Sequence, residues 1–119
     1  MRVVYVAGPY RDERGVWFVQ ENINRARAVA RELWMLGFAA ICPHSNTGMM
    51  DAAGFGSDQI FLSGDLEILD RCDAIVMIPG WQASPGARAE RERAIAMGMK
   101  VFLFPDCREA LEAWVCEPR

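Results

Sequence analysis

The sequence predicts an α/β fold: a single Rossmann-like (flavodoxin-like), three-layer domain over residues 1–119, with a four-stranded parallel sheet in the order 2-1-3-4. Two observations predict it. Short, continuous apolar runs alternate with segments whose apolar residues recur at helical spacing, which is typical of parallel strands buried on both faces. In addition, a chain of 119 residues, 52% of them hydrophobic, can bury a core without disulfides or metals.

Each predicted element is bounded by residues that start or stop regular structure. In chain order the elements are a strand at 3–7, a helix at about 19–36, a strand at 38–42, a helix at 57–72, a strand at 74–78, a helix at 87–97, a strand at 100–104 and a last helix after 106. Gly37 is a natural end for the first helix, and Ser57 is the expected N-cap of the second. Asp106 and Glu109 form a capping-box pattern at the start of the last. A polar, glycine-rich loop is predicted at 44–56.

Composition and charge argue against several classes of protein. The net charge of −3 provides no basic face, so we expect no nucleic-acid polymer as partner. The four cysteines form no CxxC pair and only His44 could assist them, so no structural zinc site is expected. We expect no other metal and no cofactor. We see no signal peptide and no apolar run of about 18 residues, and therefore expect a cytoplasmic protein with reduced thiols and no membrane partner.

Candidate ligand-binding residues follow the ends of three predicted strands. They are the segments Gly8-Pro9-Tyr10-Arg11, Pro43-His44-Ser45-Asn46 and 80–86. In open parallel sheets, ligands bind at the carboxyl ends of the strands. We therefore expect these segments to meet at one edge of the sheet and to form a binding site there.

The segment from Ser84 to Glu90 has the pattern of a helix start. Ser84 is a good N-cap, Pro85 suits the first helical position, and Gly86 lets a ligand approach closely. A helix start binds anions, and the same field favours the ionised form of a carboxylate such as Glu90. Glu90 is therefore either an acidic residue placed for the helix dipole or a nucleophile that attacks a sugar carbon.

Two further residues fit the chemistry that a carboxylate nucleophile requires. Asp65, on the predicted helix before the third strand, is a candidate acid that assists the leaving group; alternatively, it is a solvated helix charge or a partner of Arg71. Tyr5 lies within the first strand, where a buried hydroxyl needs a partner. It either packs in the core or orients the catalytic carboxylate.

Other residues near the predicted sheet edge allow more than one interpretation. Arg11 either holds a phosphate or sugar oxygen or is an ordinary surface arginine. His44 contacts a base edge, holds a phosphate or caps the next helix, and Asn46 belongs to the same polar cluster. Trp17 and Trp81 either stack on a nucleobase or serve the core or an interface. Residues interpreted as packing are Leu33, Trp34 and Trp114.

Three motifs, in this order along the chain, resemble the nucleoside 2-deoxyribosyltransferase-like superfamily. They are Tyr5-Val6-Ala7-Gly8-Pro9-Tyr10, the stretch from Asp65-Leu66-Glu67-Ile68-Leu69 through Cys72-Asp73-Ala74-Ile75-Val76, and Ser84-x-Gly86-x-x-x-Glu90. The resemblance implies a Rossmann-like domain that cleaves the N-glycosidic bond of nucleosides or nucleotides. It further implies that Glu90 is the nucleophile, that Asp65 assists at the base or the sugar, and that Tyr5 orients Glu90.

Ser84 narrows the resemblance to one branch. Transferases that act on free nucleosides carry an aspartate at this position. With a serine here, the chain resembles the 2′-deoxynucleoside 5′-phosphate N-hydrolases, in which this serine helps to bind the 5′-phosphate. Arg11 matches a position near that phosphate. An aspartate here would repel a phosphate, but a serine at a helix start donates to it. The loop at 42–47 with Met50-Asp51 is similar to an uncharacterised phage and bacterial subgroup of the superfamily.

The resemblance therefore predicts an enzyme that releases free base from a (deoxy)nucleoside 5′-monophosphate through a covalent glycosyl-Glu90 intermediate. It also implies a homodimer or higher homo-oligomer. Two alternatives are base exchange by a nucleoside 2-deoxyribosyltransferase and a non-catalytic nucleotide-binding or sensing module. The predicted substrate-binding residues are Gly8, Pro9, Arg11, His44, Asn46, Trp81, Ser84 and Gly86.

Overall fold

Four parallel strands form the centre of the molecule in the order β2-β1-β3-β4. The computed structural model describes residues 1–48, 50 and 58–118. The strands are β1 (Val3–Ala7), β2 (Ala39–Ile41), β3 (Ala74–Met77) and β4 (Lys100–Leu103). In the register of the sheet, Val4 of β1 pairs with Ala40 on one side and with Ala74 on the other. The predicted fold class and strand order are confirmed.

Helices connect the strands and cover both faces of the sheet. They are α1 (Val16–Leu36), α2 (Pro43–Asn46), α3 (Asp58–Asp70), α4 (Pro85–Ala96) and α5 (Arg108–Cys116), and a 3₁₀ turn at Trp81–Ala83 precedes α4. Gly37 ends α1 in the left-handed conformation, with a φ of 111°, which confirms the predicted stop. Within the described part of the chain, no helix has both the length and the apolar character needed to cross a membrane.

Successive residues of β1 point to opposite faces of the sheet, and the two faces pack on different helices. Val4 and Val6 lie on what we name the α1/α5 face, where the core continues through Leu33, Phe38, Leu111 and Trp114. Tyr5 and Ala7 lie on what we name the α3/α4 face, where the core continues through Leu69, Ala87 and Ala94. The residues of a single strand therefore divide between two cores.

One helix begins earlier than predicted, and one short helix was not predicted. α1 starts at Val16, so Trp17 lies in a helix rather than in a loop. The predicted polar loop instead opens with the single turn of α2, because Pro43 occupies a first-turn position, where its fixed φ favours helix. The predicted cap at Ser57, the loop residue Asp51 and the end of that loop lie outside the described residues.

Two predictions near the α1/α5 face are wrong. The N-cap of α5 is Cys107 and not Asp106, and no side chain caps this helix. The reason is a turn in which the N–H of Cys107 donates to the carbonyl of Leu103, so that the helix starts one residue later. Trp34 is 54% exposed because the buried stripe of α1 passes through Leu33, and the next residue turns away from it.

Candidate active site

A cavity of about 130 Å³ lies at the carboxyl ends of the strands. The loop after β1 contributes Gly8, Tyr10 and Arg11 to its lining. The remaining lining residues come from α2 and the turn after it, from α3, and from the start of α4: Pro43, His44, Thr47, Phe61, Leu62, Asp65, Ser84, Gly86, Ala87 and Glu90. The edge of the sheet that sequence reasoning identified therefore carries a cavity.

Glu90 forms one wall of the cavity from the second turn of α4. Its side chain is buried, and the hydroxyl of Tyr5 donates a hydrogen bond to its Oε2. Burial raises the pKa of Glu90 to about 7, and the nearby charge of Asp65 adds to the rise, whereas the bond from Tyr5 opposes it. The helix start is predicted to favour the charged form of Glu90, but burial shifts the pKa in the opposite direction, because the field of a helix start acts mainly within the first turn and Glu90 lies in the second.

Asp65 brings a second carboxyl group to the same cavity from α3. It is half-buried, and desolvation raises its pKa to about 6. Arg71, just after the end of α3, pairs with Glu67 and not with Asp65, so the suggested pairing of Asp65 with Arg71 is not formed. Because the charge of Asp65 raises the cost of charging Glu90, the two groups are coupled, and their titration near neutral pH belongs to the pair.

Tyr5 supports this pair from beneath the cavity. It is fully buried in the middle of β1, and its pKa is raised by burial first and by the charge of Glu90 second. The phenol therefore stays neutral and acts as a hydrogen-bond donor across the pH range in which Glu90 titrates. Tyr5 and Glu90 are thus joined by a hydrogen bond, and the charge of Asp65 acts on both, although the three residues are far apart in the sequence.

The start of α4 has the local structure that the sequence predicts. Ser84 is the N-cap, its Oγ accepts a hydrogen bond from the N–H of Ala87 at 3.2 Å, and Pro85 occupies the first turn. The hydroxyl proton of Ser84 remains available for donation, since the bond to Ala87 uses only an oxygen lone pair. A Cβ added at Gly86 would meet no atom within 4 Å, so the helix start is open to a ligand.

His44 lines the cavity but also bonds to the backbone. Its Nε2 lies 3.1 Å from the carbonyl oxygen of Gly8 and 2.9 Å from that of Pro9. Carbonyl oxygens only accept, so Nε2 carries the hydrogen and donates it. Burial lowers the pKa of His44, which keeps the ring neutral and leaves the buried Nδ1 as an acceptor with no partner among the described residues.

Three of the predicted substrate-binding residues lie outside the cavity lining. Pro9, in the loop after β1, packs beside Gly80. Asn46 lines a separate groove between α1 and β2. Trp81 is half-buried on the α3/α4 face, with the guanidinium carbon of Arg91 4.9 Å from the centre of its ring.

Sequence reasoning missed several residues of the site. Phe61 and Leu62 form the apolar part of the cavity, and their spacing of three and four residues before Asp65 on one helix was the signal that could have identified them. Asn22 is a polar residue buried to all but 4% within the apolar stripe of α1. Its side-chain N–H donates to the carbonyl oxygen of Tyr10 at 3.0 Å.

The fold and the position of the cavity define a Rossmann-like α/β protein with its site at the carboxyl ends of a parallel sheet. A solved structure of a 2-deoxyribosyltransferase from Bacillus psychrosaccharolyticus has a similar fold, with a TM-score of 0.59 and 24% identity over 85% of this chain and 70% of that one. Residues 2–103 match the family described as a domain of unknown function, DUF4406, and the chain belongs to that family. No curated protein matches it.

Proposed function

We propose that this protein hydrolyses the N-glycosidic bond of a (deoxy)nucleoside 5′-monophosphate and releases the free base. The observation that carries the proposal is the buried bond from Tyr5 to Glu90 beside a second carboxyl group, Asp65. Two carboxyl groups that share a site and differ in protonation are what glycoside cleavage with retention requires. The fold shared with a 2-deoxyribosyltransferase agrees with this chemistry.

In the first step, the proton that the pair shares lies on Asp65, although the pKa of Glu90, about 7, is above that of Asp65, about 6. The hydrogen bond from Tyr5 favours this form, because it lowers the pKa of Glu90. A carboxylate oxygen of Glu90 then attacks C1′ of the sugar. The bond between C1′ and the base nitrogen breaks, and the base leaves with the proton of the Asp65 carboxyl group. The Tyr5 hydroxyl holds the attacking carboxylate in place. Charge develops on the sugar in an oxocarbenium-like transition state, next to the carboxylate of Glu90.

In the second step, Asp65 acts as a base. Its carboxylate takes a proton from water, and the resulting oxygen nucleophile attacks C1′ of the glycosyl ester. The ester bond to Glu90 breaks, which returns the free carboxylate and releases the sugar 5-phosphate. Protons and charges balance over the cycle, because the proton that Asp65 gave to the base is replaced by one from water.

The start of α4 is the proposed phosphate site. Ser84 and Gly86 line the cavity there, and Arg11 lines it from the loop after β1. A serine hydroxyl and a helix start both favour an anion, and binding of the phosphate would fix the sugar relative to Glu90. Asp at position 84 would add a negative charge at the same point.

A panel of nucleosides and nucleoside 5′-monophosphates, read by chromatography for free base, tests the proposal. We expect base release from monophosphates that is faster than from nucleosides. Ser84→Asp should weaken the binding of monophosphates by about tenfold or more relative to that of nucleosides, since one repulsive contact of this kind costs over 1 kcal/mol. An equal effect on both substrates would remove Ser84 from the phosphate site.

The same assay separates hydrolysis from the two alternatives. Base exchange would require a second nucleobase for turnover and would give no net sugar phosphate. A non-catalytic binding module would bind monophosphate with no base released under any condition. Either outcome would contradict the proposed hydrolysis.

A further inference from the structure

Two buried polar side chains hold three consecutive carbonyl groups of the loop between β1 and α1. His44 Nε2 donates to the carbonyl oxygens of Gly8 and Pro9, and Asn22 Nδ2 donates to that of Tyr10. His44 is 8% exposed and Asn22 is 4% exposed. The two side chains come from α2 and α1, so their convergence on one short loop is a feature of the tertiary structure. We name this pair the loop clamp.

The opposite side of the loop is fixed by packing. A Cβ at Gly8 would lie 2.2 Å from Cγ1 of Ile78, so only glycine allows this close approach of the loop to the end of β3. Pro9 similarly lies against Gly80, which has a positive φ of 93°. The loop is therefore held between the connection after β3 and the loop clamp.

Besides Gly8, this loop presents two residues with side chains to the cavity, Tyr10 and Arg11. The ring of Tyr10 lies edge-on against the ring of His44, with their centres 5.5 Å apart. A shift of the carbonyl groups at positions 8–10 would move both cavity residues. Small displacements of positioning groups have large effects on binding and rate, because productive geometry is narrow.

We propose that His44 and Asn22 are positioning residues that fix the loop at 8–11 and so set Tyr10 and Arg11 against the phosphate end of the substrate. This role rests on the proposed function. It differs from a direct contact between His44 and the substrate, because the clamp uses only the Nε2–H donor. The acceptor Nδ1 contributes nothing to it.

The donor position of His44 allows a matched pair of variants. In His44→Gln the amide nitrogen of the longer side chain sits where Nε2 was, whereas in His44→Asn the amide is one carbon too short to reach Gly8 and Pro9. We expect His44→Asn to raise KM for a monophosphate by about tenfold, the effect of about one lost hydrogen bond, and to change KM for the nucleoside much less. His44→Gln should recover most of the loss.

Two results would overturn the clamp in this assay. An equal rise in KM for the monophosphate in His44→Gln and His44→Asn would mean that His44 acts through a contact that neither amide replaces. An equal rise in KM for the monophosphate and the nucleoside would mean that the loop does not position the residues that contact the phosphate. A purely structural role would also move stability without separating the two substrates.

Amide hydrogen exchange gives a second readout that needs no activity. In Asn22→Asp the shape is kept but the donor to Tyr10 is lost, and Asn24→Asp is the matched control, since Asn24 lies exposed on the same helix and bonds to Gln20. We expect exchange at residues 8 and 10–12 to accelerate about tenfold in Asn22→Asp and in His44→Asn, but not in Asn24→Asp or His44→Gln. Unchanged exchange would overturn the clamp. If the native protein releases no base, the proposed function fails while this measurement still decides the clamp.

Discussion

The two faces of the sheet have different environments, although neighbouring residues of the same strand, β1, contribute to both. On the α1/α5 face, Val4 and Val6 meet an apolar core whose aromatic rings pack closely, with the centres of Phe38 and Trp114 5.5 Å apart. On the α3/α4 face, Tyr5 meets the buried carboxyl group of Glu90. Both faces bury apolar residues, but the α3/α4 face also buries an ionisable group.

The difference shows where stability and chemistry are placed. Apolar burial on the α1/α5 face stabilises the fold at about 25 cal/mol per Å². Burial of Glu90 opposes folding whenever Glu90 is charged, and its raised pKa is the sign of that cost. Substitutions on the first face should therefore change stability, and those on the second should change activity and its dependence on pH.

The largest expected effect is the loss of activity in Glu90→Gln. The amide keeps the shape of the side chain but is not a nucleophile, so base release should fall by on the order of 10³-fold or more. Steady-state kinetics by chromatography and monophosphate binding by calorimetry measure the two effects, and binding should persist. Glu92→Gln, an exposed carboxylate on the same helix, is the matched control and should leave turnover unchanged. Comparable turnover in Glu90→Gln and the native protein would rule out Glu90 as the nucleophile.

The next effect belongs to the opposite face. Leu33 is fully buried on the α1/α5 face, and Leu33→Ala should lower the free energy of unfolding by about 2–5 kcal/mol through lost burial and a residual cavity. Urea unfolding measures this change. The kcat per folded molecule should stay near the native value. Met35→Ala, at a side chain that is 73% exposed on the same helix, should change stability by less than about 0.5 kcal/mol. A large fall in kcat for Leu33→Ala would show that the two faces are not separable.

A third effect is the pH dependence of stability. The pKa of Glu90 rises from 4.5 to about 7 on folding, so the native state binds the proton more tightly than the unfolded state. Its contribution to stability is therefore fully present below about pH 4.5 and is lost as the pH rises through 7. Glu90→Gln removes this loss. The free energy of unfolding of the variant, relative to that of the native protein, should therefore rise by on the order of 3 kcal/mol from pH 4 to pH 8. Urea unfolding across this range measures the difference, and a difference independent of pH would contradict the burial argument.

The smallest of these effects concerns Tyr5→Phe. The hydrogen bond from Tyr5 lowers the pKa of Glu90, so its removal should raise that pKa and shift the rising, acidic limb of the pH–rate profile to higher pH. At pH 7 we expect base release to fall by roughly tenfold, since less of Glu90 is ionised and its orientation is lost. Profiles of kcat/KM for both proteins measure the shift. If the acidic limb does not move, Tyr5 does not influence the pKa of Glu90.

Local patterns in the sequence were sufficient for most of the fold. The apolar run at Val3–Ala7 is a strand with the predicted bounds, and Gly37 and Ser84 end and begin helices as their types suggest. The predicted cap at Asp106 failed because the competing turn depends on the bond from Cys107 to Leu103, which a capping pattern does not contain. Periodicity thus located the elements, and turn geometry decided their ends.

The candidate site was less accessible to sequence reasoning. The positions of Asp65 and Glu90 at one sheet edge followed from topology, but the protonation of Glu90 did not, because it depends on burial and on a partner 85 residues away. Asn22 was missed because a single polar residue in an apolar helix stripe carries no local signal. Long-range contacts, not residue types, set these properties.

Trapping the proposed glycosyl-enzyme tests the central claim most directly. The protein is incubated with a 2′-deoxy-2′-fluoro nucleoside 5′-monophosphate, whose fluorine slows breakdown of a glycosyl ester by opposing positive charge on the sugar, and its peptides are weighed by mass spectrometry. The account predicts that the peptide containing Glu90 gains one sugar phosphate and that Glu90→Gln gains none. A sugar phosphate attached to Asp65, or free base formed while Glu90 stays unmodified, would contradict it.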